Sequence, residues 1–125
     1  TEGNQFLLDK YKGEVIFINL WATWCPPCIA EMPDLQKLYT DYKDDVVFLF
    51  ISNENSNTIK TFMNKKEFTL PAFIPLTQYP AQFETKSIPT SFLISKKGEI
   101  VMKKSGVAKW DSKKMRKILD TLTNQ

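Results

Sequence analysis

Two cysteines, Cys25 and Cys28, stand three residues apart in Trp21-Ala-Thr-Trp-Cys-Pro-Pro-Cys28, and the chain has no others. An apolar run, Val15-Ile-Phe-Ile-Asn-Leu20, precedes them; Ile29, Met32, Leu35, Leu38, Tyr39 and Tyr42 follow at helical spacing. That pattern reads strand, turn, helix, with the dithiol at the turn. A sulfur at a helix start meets unpaired backbone N–H groups and the positive end of the helix dipole, which favour its thiolate. Cys25 is therefore the candidate nucleophile, its pKa drawn below the ~8.5 of a free thiol. Pro26 suits the first helical position, where its missing N–H would have gone unpaired, and Pro27 stiffens the loop further. Cys28, one turn in, is expected to be less exposed and to act as the resolving thiol.

Other uses of the pair need residues this chain lacks. A structural zinc site takes about four ligands, and there is no histidine and no further cysteine. Haem attachment needs a histidine after the second cysteine, where Ile29 stands. A purely structural disulfide stays open, although so short a loop stabilises comparatively little. The absence of histidine also excludes His-based acid–base chemistry, so any proton carrier is a carboxylate, a thiol or water.

At 125 residues the chain is sized for a single domain spanning 1–125, with a core of its own. The net charge of +3 comes from sixteen lysines and one arginine, Arg116, against fourteen acids. The pairs Lys96-Lys97, Lys103-Lys104 and Lys113-Lys114 lack arginine forks and an aromatic ladder, so they read as solvated faces and no nucleic-acid partner is expected. The apolar runs fall far short of the roughly 20 residues of a spanning helix. The first residue is Thr1, so the chain reads as one whose native signal or anchor has been trimmed.

Residues 1–14 are polar apart from Phe6-Leu7-Leu8 and could add an edge strand. In the strand from Glu14 to Leu20 both alternating faces are apolar, so it should be central and covered on both sides. Asn19 is its exception, either a satisfied polar side chain or a group beneath the active site. Pro33 should kink or break the helix after the dithiol. Glu31, one turn beyond Cys28, either faces solvent or faces the thiols as a proton acceptor. Val46 to Ile51 forms a second buried strand. Ser56-Asn57-Thr58 caps a helix with Ile59, Phe62 and Met63 inward. Leu70 to Leu76 is a short strand or extended segment, and Tyr79 to Glu84 reads as helical turns. Ile88-Pro89-Thr90 leads into the strand Ser91–Ser95, a Lys97-Gly98 turn and the strand Glu99–Lys103. Asp111 caps a last helix carrying Met115, Ile118, Leu119 and Leu122 on one face. The order predicts a central mixed β-sheet with a parallel core, flanked by helices on both faces.

With Trp24-Cys-Pro-Pro-Cys28 after a buried strand, Ile88-Pro89-Thr90 before a hairpin and Gly106 ahead of the last helix, the chain resembles the thioredoxin superfamily from about residue 13 onward. The run Asn19 to Cys28 followed by Glu31-Met32-Pro33 is most similar to the TlpA/ResA group of extracytoplasmic thiol–disulfide oxidoreductases. The resemblance implies a thioredoxin-like fold with a helix-strand insertion over Phe62 to Leu76. It further implies a cis Ile88-Pro89 bond facing the dithiol, and a substrate groove lined by Trp24, Pro26, Ile88, Pro89 and Val107. Thioredoxin carries a buried aspartate where this chain has Asn19; ResA-like members carry a glutamate matching Glu31, which implies the proton-acceptor role for it. Cys25, Cys28 and Glu31 are then the catalytic residues, the disulfide itself is the only redox group, and no cofactor or metal is implied.

The expected activity is reduction of protein disulfides outside the cytoplasm by a monomer, serving cytochrome c maturation or another protein client. An upstream thiol-transfer reductant, membrane-bound in this reading, restores the dithiol. Two alternatives stand beside it. One is a disulfide oxidase or tryparedoxin-like electron carrier; the other is a noncatalytic binding module of a larger surface protein.

Overall fold

The computed structural model describes residues 11–73 and 87–125. The expected edge strand around Phe6-Leu7-Leu8 and the helical turns from Tyr79 to Glu84 lie outside them. Strands β1 (Val15–Leu20), β2 (Val46–Ile51), β3 (Ala72–Phe73), β4 (Thr90–Ile94) and β5 (Ile100–Ser105) form one sheet in the order β3-β2-β1-β4-β5. Helices α1 (Pro26–Tyr42), α2 (Ser56–Lys66) and α3 (Lys113–Thr123) complete the described elements. The architecture is the thioredoxin-like α/β fold.

Strand β1 is central because every one of its residues is buried, so both its faces and both its edges have to be covered. It pairs parallel with β2, from Val15↔Val46 to Leu20↔Ile51, and antiparallel with β4, from Ile16↔Ile94 to Leu20↔Thr90. The pleat then divides its side chains. Val15 and Phe17 point into a large cluster with Phe48, Phe50, Leu93 and residues of all three helices. Ile16, Ile18 and Leu20 pack on the opposite face with Leu49, Ile51, Phe92 and Ile94. In the larger cluster Phe17 meets Trp110 edge to face at 5.0 Å, which ties the sheet centre to the segment leading into α3.

One expected break does not occur, and two expected caps are corrected. Helix α1 runs unbroken through Pro33. That proline lies on its exposed side, where water can serve the Ile29 carbonyl that loses its N–H partner. Asn55, not the Ser56-Asn57-Thr58 group, caps α2, its side chain accepting from Thr58 N at 2.9 Å. Ser112, not Asp111, caps α3, accepting from Met115 N at 3.1 Å. Asp111 is taken up instead by the Arg116 guanidinium, which reaches it through Nε at 3.0 Å and one terminal nitrogen at 2.8 Å.

The register decides what meets at the sheet's end. Because Leu20 pairs with Thr90, the chain leaving β1 toward the cysteines runs beside the chain entering β4 from Pro89. Gly106 fastens that corner: its N–H donates to the Pro89 carbonyl at 2.8 Å, with φ at +86°, a backbone state that glycine adopts without steric penalty.

Candidate active site

Cys25 is the N-cap of α1, and the two residues after it are prolines. Of the N–H groups a helix start normally offers, the first two are therefore missing. The next, on Cys28, points back and donates to Cys25 Sγ at 3.3 Å. Cys25 and Cys28 are joined as a disulfide, with Cα atoms 5.3 Å apart. Their exposures are 3% and 1%, so the expected contrast between an open and a sheltered thiol is absent in this oxidised state. Both cysteines belong to the large buried cluster that includes Phe17, Trp21 and Trp110.

The Ile88–Pro89 peptide bond is cis, and the Ile88 carbonyl oxygen lies 3.9 Å from Cys25 Sγ. Trp24 is 70% exposed beside the pair, Pro26 is exposed, Ile88 is half-buried and Pro89 is buried. Val107, just past the Gly106 corner, is exposed. The structure thus brings Ile88 to the disulfide from 63 residues away.

Glu31 is on the buried side of α1, only 2% exposed, so the solvated reading fails. Its Oε2 accepts from Ala108 N at 2.9 Å and from Trp110 Nε1 at 2.7 Å. Its Oε1 makes no hydrogen bond among the described residues, and the Asn19 amide is a polar neighbour of the carboxylate. Burial raises the Glu31 pKa above the ordinary carboxylate range; the hydrogen bonds from Ala108 and Trp110 and the neighbouring Asn19 amide oppose that rise without cancelling it. Asn19 also donates across the sheet to Ser91 Oγ at 2.9 Å, so it is both a satisfied buried amide and part of the ground under Glu31. Such a carboxyl, one helical turn from Cys28, keeps its proton to a higher pH than an exposed carboxylate does.

Sequence reasoning missed Glu54. From the loop after β2 its carboxylate accepts from Thr23 N at 2.7 Å, Thr23 Oγ1 at 2.5 Å and Ser52 Oγ at 2.9 Å, pinning the residue before Trp24. It also missed Trp110 and Ala108. Partners 31 and 79 residues away leave no mark in local spacing. The one available signal was a carboxylate in a polar loop that follows a buried parallel strand, where sheet topology gathers loops at one end. Glu54→Ala should leave both Thr23 donors without their carboxylate. Because the carboxylate is half-exposed, the expected loss is about 1–2 kcal/mol, a Tm fall of roughly 4–8 °C. Amide exchange at Thr23 should accelerate; unchanged protection there would show that the clamp does not order the loop.

Among the described residues, no three metal-ligating side chains stand together.

The Redoxin family profile matches residues 1–121. The chain is 35% identical over 105 residues to the thiol-disulfide oxidoreductase ResA of Bacillus cereus, an alignment covering 82% of this chain and 61% of that protein. It thus spans about three-fifths of the length of that relative. The crystal structure of StoA from Bacillus subtilis superposes with a TM-score of 0.71 at 25% identity, over 91% of this chain and 84% of StoA. The exposed lipoprotein thioredoxin Etrx1 of Streptococcus pneumoniae gives a TM-score of 0.73 at 26% identity, over 94% and 90% of the two chains.

Proposed function

The chain belongs to the Redoxin family, as a ResA-like member of the thioredoxin superfamily, and from that premise we propose that it is a thiol–disulfide oxidoreductase that reduces disulfides of protein clients. The observation that carries this reading is the disulfide at the start of α1, next to the Ile88 carbonyl and one turn from a buried carboxyl.

In the reduced enzyme the Cys25 thiolate attacks one sulfur of the client disulfide. A Cys25–client bond forms, the client S–S bond breaks, and the other client sulfur leaves as thiolate. Glu31 then takes the Cys28 proton, directly or through water, and the Cys28 thiolate attacks Cys25 Sγ. The Cys25–Cys28 bond closes, and the second client sulfur leaves with the remaining electron pair. The client gains two electrons, and an upstream dithiol must return them to the enzyme. Trp24, Pro26, Ile88, Pro89 and Val107 form the groove for the client's extended chain, its backbone pairing with that of the corner before β4.

The reducing direction is supported by what surrounds Cys25. A strong oxidant is one whose reduced thiolate is stabilised. Here the two prolines remove N–H donors, one N–H remains, and no cationic side chain bonds either sulfur among the described residues. The exposed lipoprotein Etrx1 among the structural relatives supports a position outside the cytoplasm. Among the described residues no helix is long and apolar enough to cross a membrane. One domain working as a monomer is the simplest form of the reading.

Equilibration in dithiothreitol buffers with tryptophan fluorescence measures the potential of the pair. A value near that of thioredoxin, about −270 mV, or lower is expected; one near about −120 mV would make the protein a disulfide donor and overturn the proposed direction.

A further inference from the structure

A cavity of about 240 Å³ opens between β5 and α3. Ala108, Trp110 and Met115 contribute apolar wall; of the four lysines that line it, Lys103 carries its ammonium over the Phe92 ring, which leaves Lys104, Lys109 and Lys114, and no carboxylate is among the lining residues. No ion pair or hydrogen bond holds any of the three ammonium groups among the described residues. Met102 and Ile118, both half-buried, extend the apolar surface. None of the lining residues is Trp24, Pro26, Ile88, Pro89 or Val107, so the hollow is distinct from the client groove, although Ala108 joins it directly to Val107.

Lys104 and Lys114, each from an exposed lysine pair, stand with the exposed Lys109 around one hollow. Lys104 comes from the last strand, Lys109 from the connection and Lys114 from the first turn of α3, and one apolar hollow lies between them. Three ammonium groups that share a low-dielectric wall repel one another and attract carboxylates. The hollow is smaller than the roughly 300–1,000 Å³ of small-molecule sites, and its size suits a single large side chain used as an anchor.

We propose that this cavity docks an acidic segment of a partner protein, one apolar side chain entering the hollow while flanking carboxylates pair with Lys104, Lys109 and Lys114. The site has a route to the redox centre. Ala108 N and Trp110 Nε1, from residues that line the hollow, are the two donors to Glu31, so a docked partner bears on the segment that holds that carboxyl. The proposal holds for either direction of disulfide exchange.

The test uses a fluorescein-labelled pentapeptide, Asp-Glu-Phe-Glu-Asp with blocked ends, titrated into the oxidised protein and read by anisotropy. Sub-millimolar binding is expected. It should weaken at least about tenfold when Phe is replaced by Ala, and as much in the Lys104→Glu/Lys109→Glu/Lys114→Glu variant, whose three sites are exposed. Added salt should weaken it as well, and the Trp110 indole N–H resonance should move on binding. Exchange with a small-molecule disulfide should be unchanged in the triple variant, which separates docking from catalysis. Equal affinity of the wild-type and triple-variant proteins, absence of binding up to about 5 mM, or capture of phosphatidylglycerol vesicles through these lysines without peptide binding would each overturn the proposal.

Discussion

A Cys28→Ser protein is expected to accumulate on its client as a mixed disulfide through Cys25, because the attack that would release the client has lost its sulfur. Cys25→Ser should instead form no adduct and lose exchange by roughly 10³-fold or more, about 4 kcal/mol of transition-state stabilisation. The asymmetry is the informative part, since both sulfurs are almost equally covered in the oxidised state and burial alone does not choose between them. What distinguishes them is position. Cys25 is the cap, faces the Ile88 carbonyl and receives the Cys28 N–H; Cys28 lies within the helix. Non-reducing electrophoresis of each variant against a disulfide-bonded client such as insulin reads the outcome. Adducts formed through residue 28 in Cys25→Ser, and not through residue 25 in Cys28→Ser, would reverse the assigned roles.

The second large effect is at Glu31. Glu31→Gln keeps the shape and an acceptor for Ala108 N and Trp110 Nε1 but cannot take a proton. Exchange near neutral pH should fall toward the roughly 10²-fold contributed by a positioned base, with the remaining rate rising only where Cys28 ionises unaided, at or above about pH 8.5. Stopped-flow fluorescence of Trp24 from about pH 4 to about pH 10 follows this. A profile identical to the wild type would remove Glu31 from the proton path.

The same substitution has a stability signature of defined sign. Burial raises the folded-state pKa of Glu31 above its unfolded value, so the folded protein holds that proton more tightly. The resulting contribution is fully present below the unfolded carboxylate pKa, about 4.3, and is lost as pH rises through the raised folded value. Wild type and Glu31→Gln should therefore differ by a constant offset at acid pH. Above the raised value the variant should gain relative to the wild type. A difference in unfolding free energy that is flat across that range would mean that the carboxyl is not strained by its surroundings.

Much of this protein was legible before any coordinates. An apolar six-residue run with two apolar faces reads as an interior strand, and two prolines after a cysteine suit a helix start, so β1 and the first turn of α1 were legible from local chemistry. The repeat of Met32, Leu35 and Leu38 likewise set the buried face of α1. The caps were misassigned by one residue, Asn55 and Ser112 winning over neighbours of the same chemistry, because capping depends on which oxygen the chain direction brings to the N–H.

Glu31 marks the boundary. Its spacing from Cys28 was visible, but whether it met water or protein depended on Ala108 and Trp110, which arrive only after the β4–β5 hairpin and the Gly106 corner. Glu54 on Thr23 and the three lysines around the hollow beside α3 have the same origin. The sequence by itself determined which residues can do chemistry and which segments are strand or helix, because those follow from contacts within a few residues. Tertiary structure alone decided which carboxylate is desolvated, which is a clamp and which lysines share a wall, because those are properties of distances between segments that only the sheet register sets.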